Sequence, residues 1–222
     1  MLNETNIKPM TEATLRERVV MKLKSLIVSG DLEPGQRLTE TKLATALNIS
    51  RAPLREAIRE LVDIGLLVSL PYKGLFVKSV NRDDLEEIYS LRTALEKLAF
   101  EECWSKRTKA SGKELAKRNQ DLIKIIDKGE NPLLAIDQEL KLHSWCFELA
   151  EHKLLLQAWE RMKPNLQIYF TLHQRAHKRQ GPVRNAHEEY VRLACGDDLD
   201  AMLEHLNSHM RQGLATTLAF LD

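Results

Sequence analysis

Cysteine is scarce in this 222-residue chain. The three present, Cys103, Cys146 and Cys195, are odd in number and nowhere form a C-x-x-C spacing. This excludes a disulfide framework and reads as reduced thiols in a cytosolic protein, with the side chains serving as small buried apolar groups. Long apolar runs are missing too. None approaches the ~18 residues of a membrane-spanning helix, so no membrane segment is expected. The opening MLNETNIKPM lacks an apolar core of its own and is not a signal peptide; a loose polar arm is expected over 1–10. Nor does either sign of charge dominate. Lys and Arg number 33 against 32 Asp and Glu, a net charge of +1, which does not mark the whole chain as a nucleic-acid binder. Histidine is absent from the first 142 residues; all seven histidines follow.

What is present is unevenly arranged. Residues 1–80 hold 12 basic and 9 acidic residues, and the remainder hold 21 and 23. Hydrophobic residues make up 43% of the chain, enough for real cores, and the length fits one large or two small domains. Leu15, Val19, Leu23 and Leu26/Ile27 recur at helical spacing and stop near Ser29-Gly30. Glu33-Pro34-Gly35-Gln36 reads as a turn. Thr39 precedes a short helix with Leu43, Ala44 and Leu47 on its apolar side, and Asn48 breaks it. Ser50 can cap a third helix whose Pro53 sits in the first turn, where a missing N–H is tolerated. That helix packs inward through Leu54, Ala57, Ile58 and Leu61 and stops at Gly65. Two apolar runs, 66–70 and 75–80, flank Pro71-Tyr72-Lys73-Gly74 as a hairpin. Three helices and a hairpin in this order make a winged helix-turn-helix over 11–80.

Beyond residue 80 the pattern is helical throughout. Helices are expected near 82–106, 111–128, 132–150, 153–175, 183–195 and 198–220, with Pro164 kinking or splitting the fourth and Gly112 among the punctuating residues. No strand-like alternation occurs in this half. The expected fold class is therefore mostly α: the winged helix-turn-helix, then an all-α bundle of about six helices over 81–222.

The third helix carries Arg51, Arg55 and Arg59 four residues apart, along one face, with its apolar residues on another. A major groove admits such a helix, and Arg offers a two-pronged donor to guanine or phosphate. Arg51 and Arg55, early in the helix, are candidate readers; Arg59 is expected to pair with Glu56 or Asp63 or to be solvated. For an isolated helix, a solvated charged face is the plainer reading. The short helix before it and the glycine-tipped hairpin after it favour DNA.

Residues 15–80 closely resemble the DNA-binding domain of the GntR family of bacterial transcription regulators. The resemblance is carried by Gly30-Asp31-Leu32-Glu33-Pro34-Gly35-Gln36-Arg37-Leu38, Leu43-Ala44, Ser50 through Ala57, Gly65-Leu66-Leu67 and Gly74 through Val77. It implies double-stranded DNA as partner, with Ser50, Arg51 and Arg55 at DNA-contacting positions and Gly74 at the wing tip. Thr41, followed by Lys42, stands where the fatty-acid-responsive member has a DNA-contacting Arg. Ala52 stands where members usually have Thr.

The histidines raise a second question. Glu139 and His143 are one helical turn apart, and His187 and His209 lie on later helices, so a bundle could gather them around one ion. His173/His177 and His205/His209 share the same spacing, and a lone helical His is more often a surface or hydrogen-bonded core residue. Spacing alone leaves the choice open. His173 and His177 lead into Arg175-Ala176-His177-Lys178-Arg179, which reads as a solvated basic loop, and the three tryptophans read as core.

Residues 83–220 also resemble the FCD domain, the helical ligand-sensing domain of the FadR-type branch of that family. The carriers are Leu91 through Glu96, Glu139 through His143, Asn185-Ala186-His187-Glu188 and Asp198 through His209. The resemblance implies a divalent metal ion (Zn, Ni or Mn) held by Glu139, His143, His187 and His209, with Glu139 in place of the usual Asp. It also implies a small carboxylate effector, with Arg92 turned toward the pocket; a salt bridge from Arg92 to Glu96 is the equal alternative. Six helices suggest the VanR-type subgroup. A homodimer on a palindromic operator follows from family resemblance and two-fold symmetry.

Three functions fit these residues. The first is a DNA-binding regulator, a repressor controlled by an organic acid at a metal-containing pocket. The second is a metal-dependent enzyme using the histidines, against which no H-E-x-x-H helix occurs: His187-Glu188-Glu189-Tyr190-Val191 lacks the second His. The third is a binding module with only a structural metal. The first, not an enzyme, is the reading the sequence favours.

Overall fold

The computed structural model describes residues 13–129, 131–179 and 181–221; the arm expected over 1–10 lies outside them. Contacts divide the chain into two units between Lys78 and Ser79.

In the first unit, α1 (Leu15–Ser29) opens on a capping box. Thr14 Oγ1 accepts from the Glu17 N–H at 3.2 Å, and the Glu17 carboxylate accepts from the Thr14 N–H at 2.8 Å. Gly30 closes the helix in the left-handed region, at φ 90°. Next come α2 (Glu40–Leu47), stopped by left-handed Asn48, and α3 (Arg51–Asp63). Ser50 occupies the N-cap position of α3 with extended backbone, yet its side chain makes no capping hydrogen bond. Helices α1 and α3 pack together, and Leu23 of α1 and Leu54, Ala57 and Leu61 of α3 are fully buried. The expected hairpin forms from β2 (Leu67–Leu70) and β3 (Gly74–Val77). A further strand, β1 (Arg37–Leu38), pairs antiparallel with the other edge of β3, giving the order β1-β3-β2. Two residues are too few to show an alternation, so only the partner strand reveals β1.

The second unit consists of α4 (Arg82–Cys103), a 3-10 turn (Trp104–Lys106), α5 (Lys109–Lys128), α6 (Pro132–Ala150), α7 (Lys153–Ala176), α8 (Glu188–Ala194) and α9 (Leu199–Leu221). Asn81 and Asp84 form a capping box on α4, and Asn131 caps α6 with Pro132 just inside the helix. Helix α6 is buried along most of its length against α4, α5 and α7. At its C-terminal half Phe147 stacks on Trp159 of α7, ring centroids 4.4 Å apart, and Trp159 Nε1 donates to Ser144 Oγ at 2.7 Å.

Three expectations change here. Pro164 does not split α7, because buried Trp159, Met162, Leu166 and Phe170 on either side hold the helix in one run. Gly112 is no break but an interior residue of α5, where a Cβ would come within 3.1 Å of Cys195 Sγ. Residues 183–187 precede α8 rather than belong to it. No helix among the described residues is long and apolar enough to cross a membrane.

Candidate functional site

The second unit brings four helices to one buried point. His143 comes from α6, His187 from the N-cap of α8 and His209 from α9. One ring nitrogen of each lies within 4.8 Å of the others, and His143 Nε2 is 3.2 Å from His187 Nε2. The fourth helix, α4, acts through a support. Glu96, fully buried, sets Oε2 3.0 Å from His143 Nδ1 and accepts from Arg92 Nε on Oε1 at 2.7 Å. Arg92 is permanently charged, so Glu96 stays ionised: burial alone would raise its pKa, but the cationic side and the His143 hydrogen bond hold it well below the usual carboxylate range. A carboxylate at Nδ1 fixes the proton there and leaves the Nε2 lone pair facing His187.

The imidazoles are neutral. Burial pushes His143 down although Glu96 pulls the other way; burial and the neighbouring rings push His187 far down and His209 to about 3. A neutral imidazole has one N–H and one lone pair, so the rings can either hydrogen-bond to one another or turn their lone pairs to a shared cation. Nitrogens on one ion at about 2.1 Å lie about 3.0 to 3.4 Å apart, and the His143–His187 spacing fits that. A neutral three-imidazole set suits Zn, Ni or a similar divalent ion. Glu139 falls outside the triad's mutual spacing. Its Oε1 is 3.6 Å from His187 Nε2, and burial raises its pKa to about 7 although Arg92 and Arg179 oppose this. His205 stacks beside His209 with ring centroids 5.6 Å apart, outside the triad, and its Nε2 is buried without a partner.

A cavity of about 320 Å³ adjoins the cluster and is lined by His187, His209, Glu139 and Arg92 among others. The two readings of Arg92 prove compatible. Its Nε serves Glu96, its guanidinium carbon lies 5.0 Å from the centroid of the Phe170 ring, and its Nη2 is buried with no hydrogen-bond partner. An unmet buried donor on a cavity wall is the kind of group that a carboxylate satisfies. The basic stretch at the end of α7 is not a solvated loop, as the sequence suggested: His173 within the helix and His177 and Arg179 just past it line the same cavity, and His173 Nδ1 lies 3.1 Å from Thr217 Oγ1. Nothing local distinguishes those residues from a surface charge run; their closure over a cavity is a tertiary fact.

In the first unit, Thr41, Lys42, Ser50, Arg51 and Arg55 are all exposed, on α2, its connection to α3, and the first turns of α3. Arg51 Nη2 donates to Thr41 Oγ1 at 3.5 Å, and Arg55 Nε donates to Glu40 Oε2 at 2.7 Å. The Arg55 contact orients the side chain while leaving its two Nη groups for another acceptor. Arg59 forms no ion pair with Glu56 or Asp63 among the described residues. Gly74, at φ 108°, opens β3 next to Arg37, whose Nε would lie 3.4 Å from any Cβ there. Arg37 and Tyr72, the latter fully exposed in the hairpin turn, were not singled out from sequence. A surface groove between α3 and the sheet is lined by Arg37, Arg55, Arg59 and Gly74.

Comparison with known proteins accounts for both units. Residues 15–77 match the family model for bacterial regulatory proteins of the gntR family, and residues 87–212 match the FCD domain. The chain is 27% identical, over 91% of its length and 84% of the relative's, to the gluconate operon transcriptional repressor of Bacillus licheniformis. Among solved structures, Escherichia coli McbR/YncC shares the fold at a TM-score of 0.72 and 22% identity, covering 95% of this chain and all of that one. A putative GntR transcriptional regulator from Rhodococcus sp. RHA1 follows at a TM-score of 0.70 and 24% identity, covering 92% of this chain and 97% of that one. The family matches and the relatives are transcription regulators, not enzymes. The chain therefore belongs to the GntR family of bacterial regulatory proteins, with an FCD domain as its second unit.

Proposed function

We propose that the protein is a sequence-specific, cytoplasmic DNA-binding repressor whose operator affinity is set by a small organic acid bound beside a divalent metal ion. The observation that carries this reading is the convergence of three neutral imidazoles, His143 and His187 buried and His209 half-buried, beside a cavity that His187, His209 and Arg92 line, with Arg92 Nη2 left unpartnered. His143, His187 and His209 would hold the ion, with Glu139 completing the set by a small side-chain rotation from 3.6 Å. The ion, Zn, Ni or Mn, would supply a positive pole for a carboxylate oxygen. Arg92 would orient the same carboxylate, while Glu96 keeps His143 in the ligating tautomer. Six helices in the second unit favour the VanR-type subgroup.

On the DNA side, Arg51 and Arg55 would read base edges or phosphates, Ser50, Thr41 and Lys42 would contact the backbone beside them, and Gly74 would bring the wing close to the minor groove. The surface pair of Arg55 with Glu40 is weak enough for DNA to replace. A homodimer on a palindromic operator is supported by α4. Ile88, Leu91, Leu95 and Leu98 recur at three- and four-residue intervals on one stripe, with Leu91 53% and Leu98 39% exposed, a seam that suits a second copy.

The test is elemental analysis of the purified protein beside a His187→Ala/His209→Ala variant, followed by operator binding with and without a panel of small carboxylates. Metal present in the wild type and lost in the variant, with acid-dependent DNA affinity only in the wild type, is expected. Operator binding that no acid alters would sink the effector reading.

A further inference from the structure

We infer that the cavity takes an acid carrying two anionic groups, one seated at the histidine cluster and Arg92, the other at Arg179. This rests on the acid-binding reading above and narrows its ligand class. The two guanidiniums on the cavity wall are not equivalent. Arg92 is already balanced, because Glu96 takes its Nε at 2.7 Å deep in the bundle. Arg179 has no ion pair within contact distance among the described residues; the acidic residue lining the cavity with it is Glu139, whose charge favours the Arg179 cation but which the metal reading assigns to the ion.

Arg179 is also held in place. Its backbone N–H donates to the Gln174 carbonyl at 3.1 Å, and its Nε donates to the Gly181 carbonyl at 3.1 Å. Lys178 before it adopts the left-handed region at φ 51°. Gly181 does so at φ 99° and packs so closely that a Cβ would come within 2.9 Å of Ile126 on α5 and 3.3 Å of Ala135 on α6. The turn is clamped onto two helices, and with Nε committed to a carbonyl, the Nη edge of the fork is what remains for a ligand. A planar fork with fixed orientation matches a carboxylate in two-point fashion. His173 and His177 line the same cavity and add ring N–H capacity without adding an acid.

A ligand with a single carboxylate would satisfy the metal pole and Arg92 and leave Arg179 facing an empty or merely hydrated cavity. At about 320 Å³ the space is in the range of small-molecule sites and exceeds what a short monocarboxylate fills. A site with a charged donor left unmet discriminates against the ligand that fails to meet it.

The experiment is calorimetric titration of the metal-loaded full chain with malonate, succinate, glutarate and adipate beside acetate, propionate and butyrate. Metal content is measured after each titration, so that a heat accompanied by metal loss counts as no binding. The same series is run on Arg179→Gln and Arg179→Lys. The best diacid is expected to bind on the order of tenfold more tightly than the best monoacid. Arg179→Gln should erase that gap while leaving monoacid affinity and metal content in place, and Arg179→Lys should retain part of it. Equal binding of mono- and diacids by the wild type, or a gap that survives Arg179→Gln, overturns this inference and leaves acid sensing standing. Failure of every acid to bind metal-loaded protein overturns the acid-binding reading and this inference with it.

Discussion

Replacing Glu96 by Gln changes one atom in a fully buried side chain and should be felt in two independent measurements. Both carboxylate oxygens are occupied, Oε1 by Arg92 Nε at 2.7 Å and Oε2 by His143 Nδ1 at 3.0 Å. An amide can accept on one side only and would turn an N–H toward the other donor. It also removes the negative charge that balances Arg92. Removing one member of a buried ion pair costs about 3 to 5 kcal/mol, because the survivor keeps its desolvation penalty. With urea slopes of about 1 to 3 kcal/mol per M for small proteins, the unfolding midpoint of the metal-free chain should fall by roughly 2 M. Loss of the support on Nδ1 should separately weaken metal binding about 10- to 100-fold, read by competition with a chelator. The double variant Arg92→Leu/Glu96→Gln removes the stranded cation as well and should recover most of the lost stability, though not the metal affinity. A Glu96→Gln protein losing less than about 1 kcal/mol, with metal affinity unchanged, would refute the claim that this carboxylate both neutralises Arg92 and orients His143.

Other consequences are simpler. Arg55→Ala should weaken operator binding about ten- to a hundredfold in a fluorescence anisotropy titration at fixed salt, and Glu40→Ala should not, since Glu40 only positions that side chain. Trp159→Ala deletes a fully buried ring stacked on Phe147 and should cost about 3 to 5 kcal/mol in urea unfolding. For the metal-free protein, stability should fall with acidification: burial, with His177 and Arg179 beside it, holds His173 down to about 4 against an ordinary 6.5. The unfolded chain then takes up the proton first, so this contribution is complete above pH 6.5 and is lost as pH falls toward about 4. His173→Phe should flatten that part of the profile, and an unchanged slope would show that the ring is solvated.

What could be read from the sequence was local. Stops and one-turn spacings lie within four residues of each other, so the helix ends at Gly30 and Asn48 and the inward face of α3 were accessible to pattern alone. The parts that escaped depend on contacts between distant segments. Strand β1 exists because β3 offers an edge to Arg37 and Leu38. Pro164 sits inside a continuous α7 because burial on both sides of it outweighs the loss of one backbone donor, about 3 kcal/mol by propensity.

The candidate site divides along the same line. One-turn spacing puts Glu139 and His143 on one face of α6 but says nothing of side-chain rotation, which leaves His143 in the triad and Glu139 at its margin. Glu96, the group that decides how His143 presents itself, is 47 residues away in the chain. It was visible from sequence only as a salt-bridge partner for Arg92, a reading first set against a ligand-binding role. The structure dissolves that opposition. A guanidinium has five N–H donors, so one nitrogen can anchor to Glu96 while another stays free for a ligand, and the anchoring is what makes the free edge rigid. The same logic applies at Arg179, where the Gly181 carbonyl takes Nε. At both positions a structural contact leaves N–H donors over for the proposed recognition role, and pairing an Arg on paper with its nearest acid is no evidence against function.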